Sequence, residues 1–273
     1  MLKKRVITGL WGIPLLITAV WFGQPIPWFT LLVAIWGLLA VFEFYKLVGG
    51  TGVLPLTYFG LIWTLLFILS RDSELLSLLE PHFDLNLLMP FLLTSAVILP
   101  LIWLLGRRHK EGAFISWAWT IAGILYVGWL LSYFVALRGL DEHGYWVFLA
   151  LATNFASDTA AFFTGRALGR HKLAPRISPG KTWEGTIAGF FGAIIVSLPF
   201  TMLLPLSYWQ AILLGFLVSL FGQLGDLVES LLKRNMGVKD SGRLLPGHGG
   251  ALDRIDSVVF AGVVVYYYAI WAI

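Results

Sequence analysis

Two aspartates three residues apart, Asp253 and Asp256, stand where a glycine-rich stretch gives way to an apolar run that reaches the C-terminus. At that spacing on a helix both carboxylates project from one face. Crowded carboxylates repel one another, a cost that a hard divalent cation relieves. A third acid, Asp226, lies in SLFGQLGDLVESLLKR, where Ser219, Gln223, Asp226, Ser230 and Lys233 follow three- and four-residue steps and make one polar stripe along a helix, with Glu229 at its edge. Asp226, Asp253 and Asp256 are therefore the candidate ligands of a three-carboxylate metal site. Mg²⁺ takes few carboxylates and fills its shell with water and substrate phosphates, so such a site anticipates a phosphorylated ligand. Just upstream, Gly247-His248-Gly249-Gly250 leaves backbone amides free to approach an oxyanion, with Lys239, Arg243 and Arg254 to balance phosphate charge. A solvated tight turn has the same composition; what sets this stretch apart is the company of acids in apolar segments.

A second polar loop, GRHKLAPRISPGKTWEG (169–185), also precedes an apolar run. Gly180-Lys181-Thr182 imitates the end of a P-loop, but the upstream glycine of that motif would fall at Pro175, so the P-loop reading fails. What remains is Ser178, Lys181 and Thr182 at a helix N-terminus, where free amides and the helix dipole favour anions, with Glu184 in the first turn. An N-capped helix with a basic flank is the plainer account of the same residues. His82, His109 and His143 have no partner spacing, and His171 joins the basic cluster.

The elements that must position these groups are membrane helices. The chain of 273 residues is 58% hydrophobic and 12% charged, far below the charge of soluble domains, and its mean hydropathy is +0.82. The absence of cysteine excludes disulfides, thiolate zinc sites and a cysteine nucleophile. Apolar stretches near 6–22, 27–48, 55–69, 88–105, 115–137, 145–164, 184–206, 209–232 and 255–273 predict an all-α polytopic membrane protein of about nine transmembrane helices. The basic N-terminal residues resemble a secretory leader, but Gly23-Gln24-Pro25 is not a small-x-small cleavage site, so the first stretch is read as a span. With the N-terminus cytoplasmic, every one of the 19 basic residues except Arg71 and Arg138 falls on the inner side. Residues 1–112 then form a scaffold, 113–144 a middle helix that could meet a second subunit, and 145–273 a catalytic region with cytoplasmic loops 165–183 and 233–254.

Ionisable residues inside spans cost at least about 2.5–3.5 kcal/mol each and need a reason. Glu43 lies near the inner end of its span, within reach of water or Lys46, and is read as structural. Asp158 is surrounded by Asn154, Ser157 and Thr159, and Asp226 belongs to the stripe. Interhelical hydrogen bonding is the competing explanation for both.

Ser230-x-Leu232-Lys233-Arg234, then Lys239-Asp240-x-Gly242, then Leu245-Pro246-x-His248-Gly249-Gly250-x-x-Asp253-Arg254-x-Asp256 resembles the signature of the phosphatidate cytidylyltransferase, or CDP-diacylglycerol synthase, family. The likeness covers about 145–256, while the first five spans are similar only in hydropathy. Ala251 departs from the family, which usually has a larger aliphatic residue at this packing position. The resemblance implies that CTP and phosphatidate give CDP-diacylglycerol and pyrophosphate at the inner face of the membrane. It implies Mg²⁺, with a second cation, K⁺, at the paired site, and a homodimer; no nucleic-acid partner is expected. In that frame Asp226, Asp253 and Asp256 hold metal, with Asp158 as a supporting ligand. Ser178, Lys181, Thr182, Lys239, His248, Gly249, Gly250 and Arg254 hold phosphates, and Lys233 and Arg234 serve CTP or the lipid head. Two other readings compete: a CTP-dependent polyprenol or dolichol kinase, disfavoured by the Lys-Asp to Asp-Arg-x-Asp signature, and a cation-coupled transporter, disfavoured by basic loops on one face and by the lack of an inverted repeat.

Overall fold

Backbone amides and carbonyls find no water in hydrocarbon, so apolar stretches of this length fold as helices that satisfy their own polar groups. In the computed structural model the described residues are 12, 14–22, 27–78, 84–107, 111–242 and 249–272. Their helices are α1 (14–21), α2 (Trp28–Gly49), α3 (Thr57–Leu69), the short α4 (Ser73–Ser77), α5 (Leu88–Leu105), α6 (Ala113–Gly123), α7 (Leu130–Arg138), α8 (Tyr145–Leu168), α9 (Trp183–Ser197), α10 (Tyr208–Asn235) and α11 (Asp256–Ala272). Among the described residues six helical segments are long and apolar enough to cross a membrane: α2, 85–105, 113–138, α8, 183–202 and α10; α3 and α11 are shorter apolar helices. Of the expected first span, 6–22, residues 6–11 and 13 lie outside the described residues. The chain is a mostly helical, polytopic membrane protein, with one departure from an all-α fold among the described residues. Two short strands, β1 (Lys172–Ala174) and β2 (Ser178–Thr182), pair antiparallel inside the basic loop before α9.

The chain divides into two compact units: Met1–Gly139 with Asp240–Asp253, and Leu140–Lys239 with Arg254–Ile273. In the first, α2 packs on α3, α6 and α7, and α3 packs on α5. Trp63, Phe67, Leu92, Ala96 and Ile124 make its apolar core. A π-turn, Ile124–Trp129, interrupts the segment from α6 to α7. Beside it the Tyr45 ring fills the space left by Gly60 and Gly123, and its hydroxyl donates to the Thr120 carbonyl at 2.7 Å.

In the second unit α8, α9, α10 and α11 pack on one another. Their starts are set by local chemistry. The Asp141 carboxylate accepts the amides of Tyr145 (2.9 Å) and Trp146 (3.2 Å) at the head of α8. Thr182 caps α9 by accepting from Gly185 N. Ser207 and Gln210 form a reciprocal capping box on α10, which meets two otherwise orphaned amides. Small residues let these helices approach: a Cβ at Gly225 would come within 2.5 Å of the Asp256 carbonyl, so α10 and α11 touch where each carries an aspartate.

Candidate active site

The polar stripe of α10 forms as its spacing predicts, and its two ends differ. Toward the N-terminal end Ser219 hydrogen-bonds Ser157 of α8 at 2.6 Å, and Gln223 donates to Ser219 Oγ (3.0 Å) and to the Thr186 carbonyl of α9 (3.3 Å). Asn154 of α8 donates to Ser257 Oγ of α11 at 2.9 Å. Ser157, Ser219, Asn154 and Ser257 are all buried, so this half is an interhelical hydrogen-bonding seam.

One turn further along, the stripe opens. The side chain of Asp226 is 34% exposed, and its Oδ1 accepts from Ser230 Oγ at 3.2 Å. Asp256, the first residue of α11, accepts the Ser257 amide on Oδ1 at 2.7 Å. Asp158 lies on an exposed face of α8, where Ser257 Oγ approaches its Oδ2 at 3.4 Å. Asp226 repels both Asp158 and Asp256, and Asp158 adds a weaker repulsion on Asp256. Three carboxylates from three helices thus share one neighbourhood. They are brought together by residues 68 and 98 positions apart, a convergence that neither segment reveals by itself.

The cation opposite them comes from the hairpin. Lys181 Nζ pairs with Asp226 Oδ2 at 2.9 Å and donates to the Gln223 carbonyl at 3.2 Å. Thr182, buried at the end of β2, caps α9, and Ser178 begins β2. Glu184 in the first turn accepts the amide and the ring Nδ1 of His171 (2.7 Å to the ring), so His171 belongs to the hairpin's own bracing rather than to a diffuse basic cluster. Arg234 donates from Nε to the Ile177 carbonyl and from Nη1 to the Val238 carbonyl, both at 3.2 Å, tying the end of α10 to the hairpin. Lys233 pairs with the fully buried Glu229 at 2.5 Å. Lys239 and Arg254 are exposed.

Asp253 belongs to the other compact unit, where its Oδ2 accepts the amides of Ser241 (3.0 Å) and Gly250 (2.8 Å). Gly249 has φ +83°, a conformation that L side chains rarely adopt, and a Cβ there would press on Asp253 Oδ2 at 2.5 Å. Gly250 is buried. His248 and Arg243 lie outside the described residues. The residue that sequence reasoning placed least well is Glu43. It faces neither water nor Lys46: its carboxylate, 8% exposed, accepts Ser241 Oγ and the Leu252 amide. The only available signal was an acid in an apolar span, which does not name a partner some 200 residues away.

Asp158, Asp226 and Asp256 offer oxygen donors alone, the set that suits Mg²⁺ and similar hard cations, and one of them already carries a cation in the ammonium of Lys181. Among the described residues no three acidic or histidine side chains close into a ready-made metal cage.

Comparison with known proteins covers nearly the whole chain. The sequence model of the Cytidylyltransferase family matches residues 3–271. The chain is 37% identical to a phosphatidate cytidylyltransferase of Bacillus subtilis over 279 aligned positions, covering 97% of each protein. It is 32% identical to a phosphatidate cytidylyltransferase of Synechocystis, covering 99% of this chain and 97% of the relative. A phosphatidate cytidylyltransferase of Brucella suis is 43% identical over 167 residues, 60% of each chain.

Proposed function

Because the chain belongs to the cytidylyltransferase family, we propose that it converts CTP and phosphatidate into CDP-diacylglycerol and pyrophosphate. The observation that carries this reading is the open end of the α10 stripe. There Asp226, Asp256 and Asp158 meet beside the Lys181 ammonium, among helices apolar enough to cross a bilayer. A lipid phosphate and a water-soluble nucleotide can meet only near the edge of the bilayer, and these groups are made to handle phosphate there.

The reaction needs no protein nucleophile. A phosphate oxygen of phosphatidate attacks the α-phosphorus of CTP, the bond from that phosphorus to the bridging α,β-oxygen breaks, and pyrophosphate leaves with the electron pair. Asp226 and Asp256, with Asp158 in support, would hold Mg²⁺, alongside K⁺ as the second cation, and Asp253 is proposed as a further ligand on its sequence spacing alone. Bound there, such ions neutralise the triphosphate and stabilise the departing charge. Lys181 exchanges its contact with Asp226 for a phosphate oxygen, so cation and anion partners are matched before and after the nucleotide binds. Lys239 and Arg254, both exposed, add charge for the phosphates. Ser178 sits on the same hairpin as Lys181, and Thr182 acts through it by anchoring β2 on α9. Lys233 and Arg234 at the end of α10 belong to the nucleotide or lipid side, Arg234 by holding the hairpin in place.

We place the N-terminus and the reaction on the cytoplasmic side, with nine crossings and a homodimer as the working assembly. The support for the orientation and the crossings is the distribution of basic residues, which leaves Arg71 and Arg138 alone on the outer side, while the homodimer rests on the family resemblance. Since the chain has no cysteine of its own, single cysteines placed in 165–183 and 70–87 and labelled from either side of sealed vesicles test the orientation.

Product identity tests the reaction. Detergent-purified protein given phosphatidate, Mg²⁺ and CTP labelled in its α-phosphate is expected to move label into lipid and release pyrophosphate in equal amounts. Formation of CDP with no label in lipid would instead mean γ-phosphoryl transfer, the chemistry of a lipid kinase.

A further inference from the structure

Helix α2 turns two polar groups toward the glycine-rich segment, seven residues and thus two helical turns apart. The Trp36 indole N–H donates to the Ala251 carbonyl at 3.0 Å. Two turns on, Glu43 Oε2 accepts the Leu252 amide and the Ser241 hydroxyl, each at 3.0 Å. Asp253 grips the same segment from within, taking the amides of Ser241 and Gly250. Ser241 is consequently held twice, by its hydroxyl and by its amide.

The glycines fit the carboxylate as closely as the hydrogen bonds do. A Cβ at Gly242 or Gly250 would collide with Glu43, and at Gly250 with Ser241 Oγ as well. Ala251 is fully buried beneath the Trp36 contact. A carboxylate in an apolar helix is costly, and a packing role alone is filled more cheaply by leucine. Glu43 does what leucine cannot: it accepts donors from residues 241 and 252 at once, and so fixes the distance between the two sides of the signature segment.

We infer that Glu43 is a positioning residue for cytidylyl transfer, holding Ser241–Gly242 and Gly250–Asp253 in one fixed conformation before CTP arrives. The inference rests on the reaction proposed above. It predicts that Glu43 acts on catalysis through the segment it holds, without touching either substrate.

The test compares wild type with Glu43→Gln, Glu43→Ala, Glu43→Asp, Ser241→Ala, Gly250→Ala and the double variant Glu43→Asp/Gly250→Ala. Each is purified in detergent and followed by initial rates over a range of CTP concentrations and by thermal unfolding. Glu43→Gln and Glu43→Ala are expected to lower kcat/KM for CTP about 10- to 100-fold, the usual cost of losing a group that orients an active site. Ser241→Ala removes one hydroxyl donor and should cost about five-fold, with an unfolding temperature within a few degrees of wild type. Gly250→Ala should be as impaired as Glu43→Ala, and shortening the acid in the double variant should restore part of that loss, since the two groups compete for one space.

Should Glu43→Ala fail to fold, Ser241→Ala and the double variant still decide the matter. Folded Ser241→Ala and Glu43→Gln proteins with wild-type kcat and KM, or a double variant whose loss is the product of the two single losses, would overturn the inference. A wild type that makes no CDP-diacylglycerol would overturn the reaction itself. An active wild type with indifferent Glu43 variants removes only the role of Glu43.

Discussion

Each compact unit of this protein keeps carboxylates in apolar surroundings, and the two units treat them in opposite ways. In the first, Glu43 and Asp253 accept neutral donors, the hydroxyl of Ser241 and the amides of Ser241, Gly250 and Leu252, and glycines close around them. In the second, Asp226, Asp256 and Asp158 face one another, with the ammonium of Lys181 beside Asp226 and Asp158 and that of Lys233 acting on Asp256, and Asp226 is a third exposed. A carboxylate satisfied by backbone amides organises a chain. Carboxylates that crowd together on an accessible surface await positive charge. Burial and partner type, more than the presence of an acid in a span, separate structure from chemistry here.

The largest effect should come from the crowded set. Asp226→Asn and Asp256→Asn are each expected to lower lipid labelling by about 10³-fold, comparable to the loss of a principal charge-stabilising group elsewhere, while size-exclusion profiles stay unchanged. A loss under ten-fold in either variant would dissolve the contrast between the units.

Next in size is Lys181→Met, which removes the cation on Asp226 and the donor to the Gln223 carbonyl. Its kcat/KM for CTP should fall about 10- to 100-fold. Raising Mg²⁺ should recover part of that loss if Lys181 and the metal share the same carboxylates. An unchanged Mg²⁺ requirement would place Lys181 on the phosphates alone.

The smallest effects belong to the seam and the caps. Ser219→Ala, which breaks the bond to Ser157, should cost about 0.6 kcal/mol of stability, typical of polar contacts between membrane helices. Thr182→Ala should cost about 1 kcal/mol through the cap of α9. Unfolding followed in mixed detergents measures both. If either variant lost activity out of proportion to stability, the boundary between seam and site would have to move toward the N-terminal end of α10.

Much of the second unit was legible in the sequence because its signal is periodic. Three- and four-residue steps put Ser219, Gln223, Asp226 and Ser230 on one face of α10, and that face meets Ser157 and Asp158 of α8 and Asp256 of α11. Thr182 followed by Glu184 reads directly as a helix start. What the sequence did not disclose is pairing across long separations. Nothing at Glu43 names Leu252, because a single acid has no period and its partners are a backbone amide and a serine hydroxyl. The strand pair at Lys172–Thr182 was hidden by its length, too short for an alternating pattern, and the π-turn at Ile124–Trp129 leaves hydropathy unchanged.

The measurement that bears most directly on the central claim is Mn²⁺ binding, followed by loss of the free-ion electron paramagnetic resonance signal, with Mn²⁺ standing in for Mg²⁺. Wild type, Asp226→Asn, Asp256→Asn and Glu43→Gln are titrated with and without CTP. CTP is expected to tighten Mn²⁺ binding in wild type, either asparagine variant to abolish this tightening, and Glu43→Gln still to bind Mn²⁺ in the absence of CTP as wild type does. Wild-type Mn²⁺ binding in both asparagine variants, or its loss in Glu43→Gln alone, would contradict the assignment of metal to Asp226 and Asp256 and of loop-holding to Glu43.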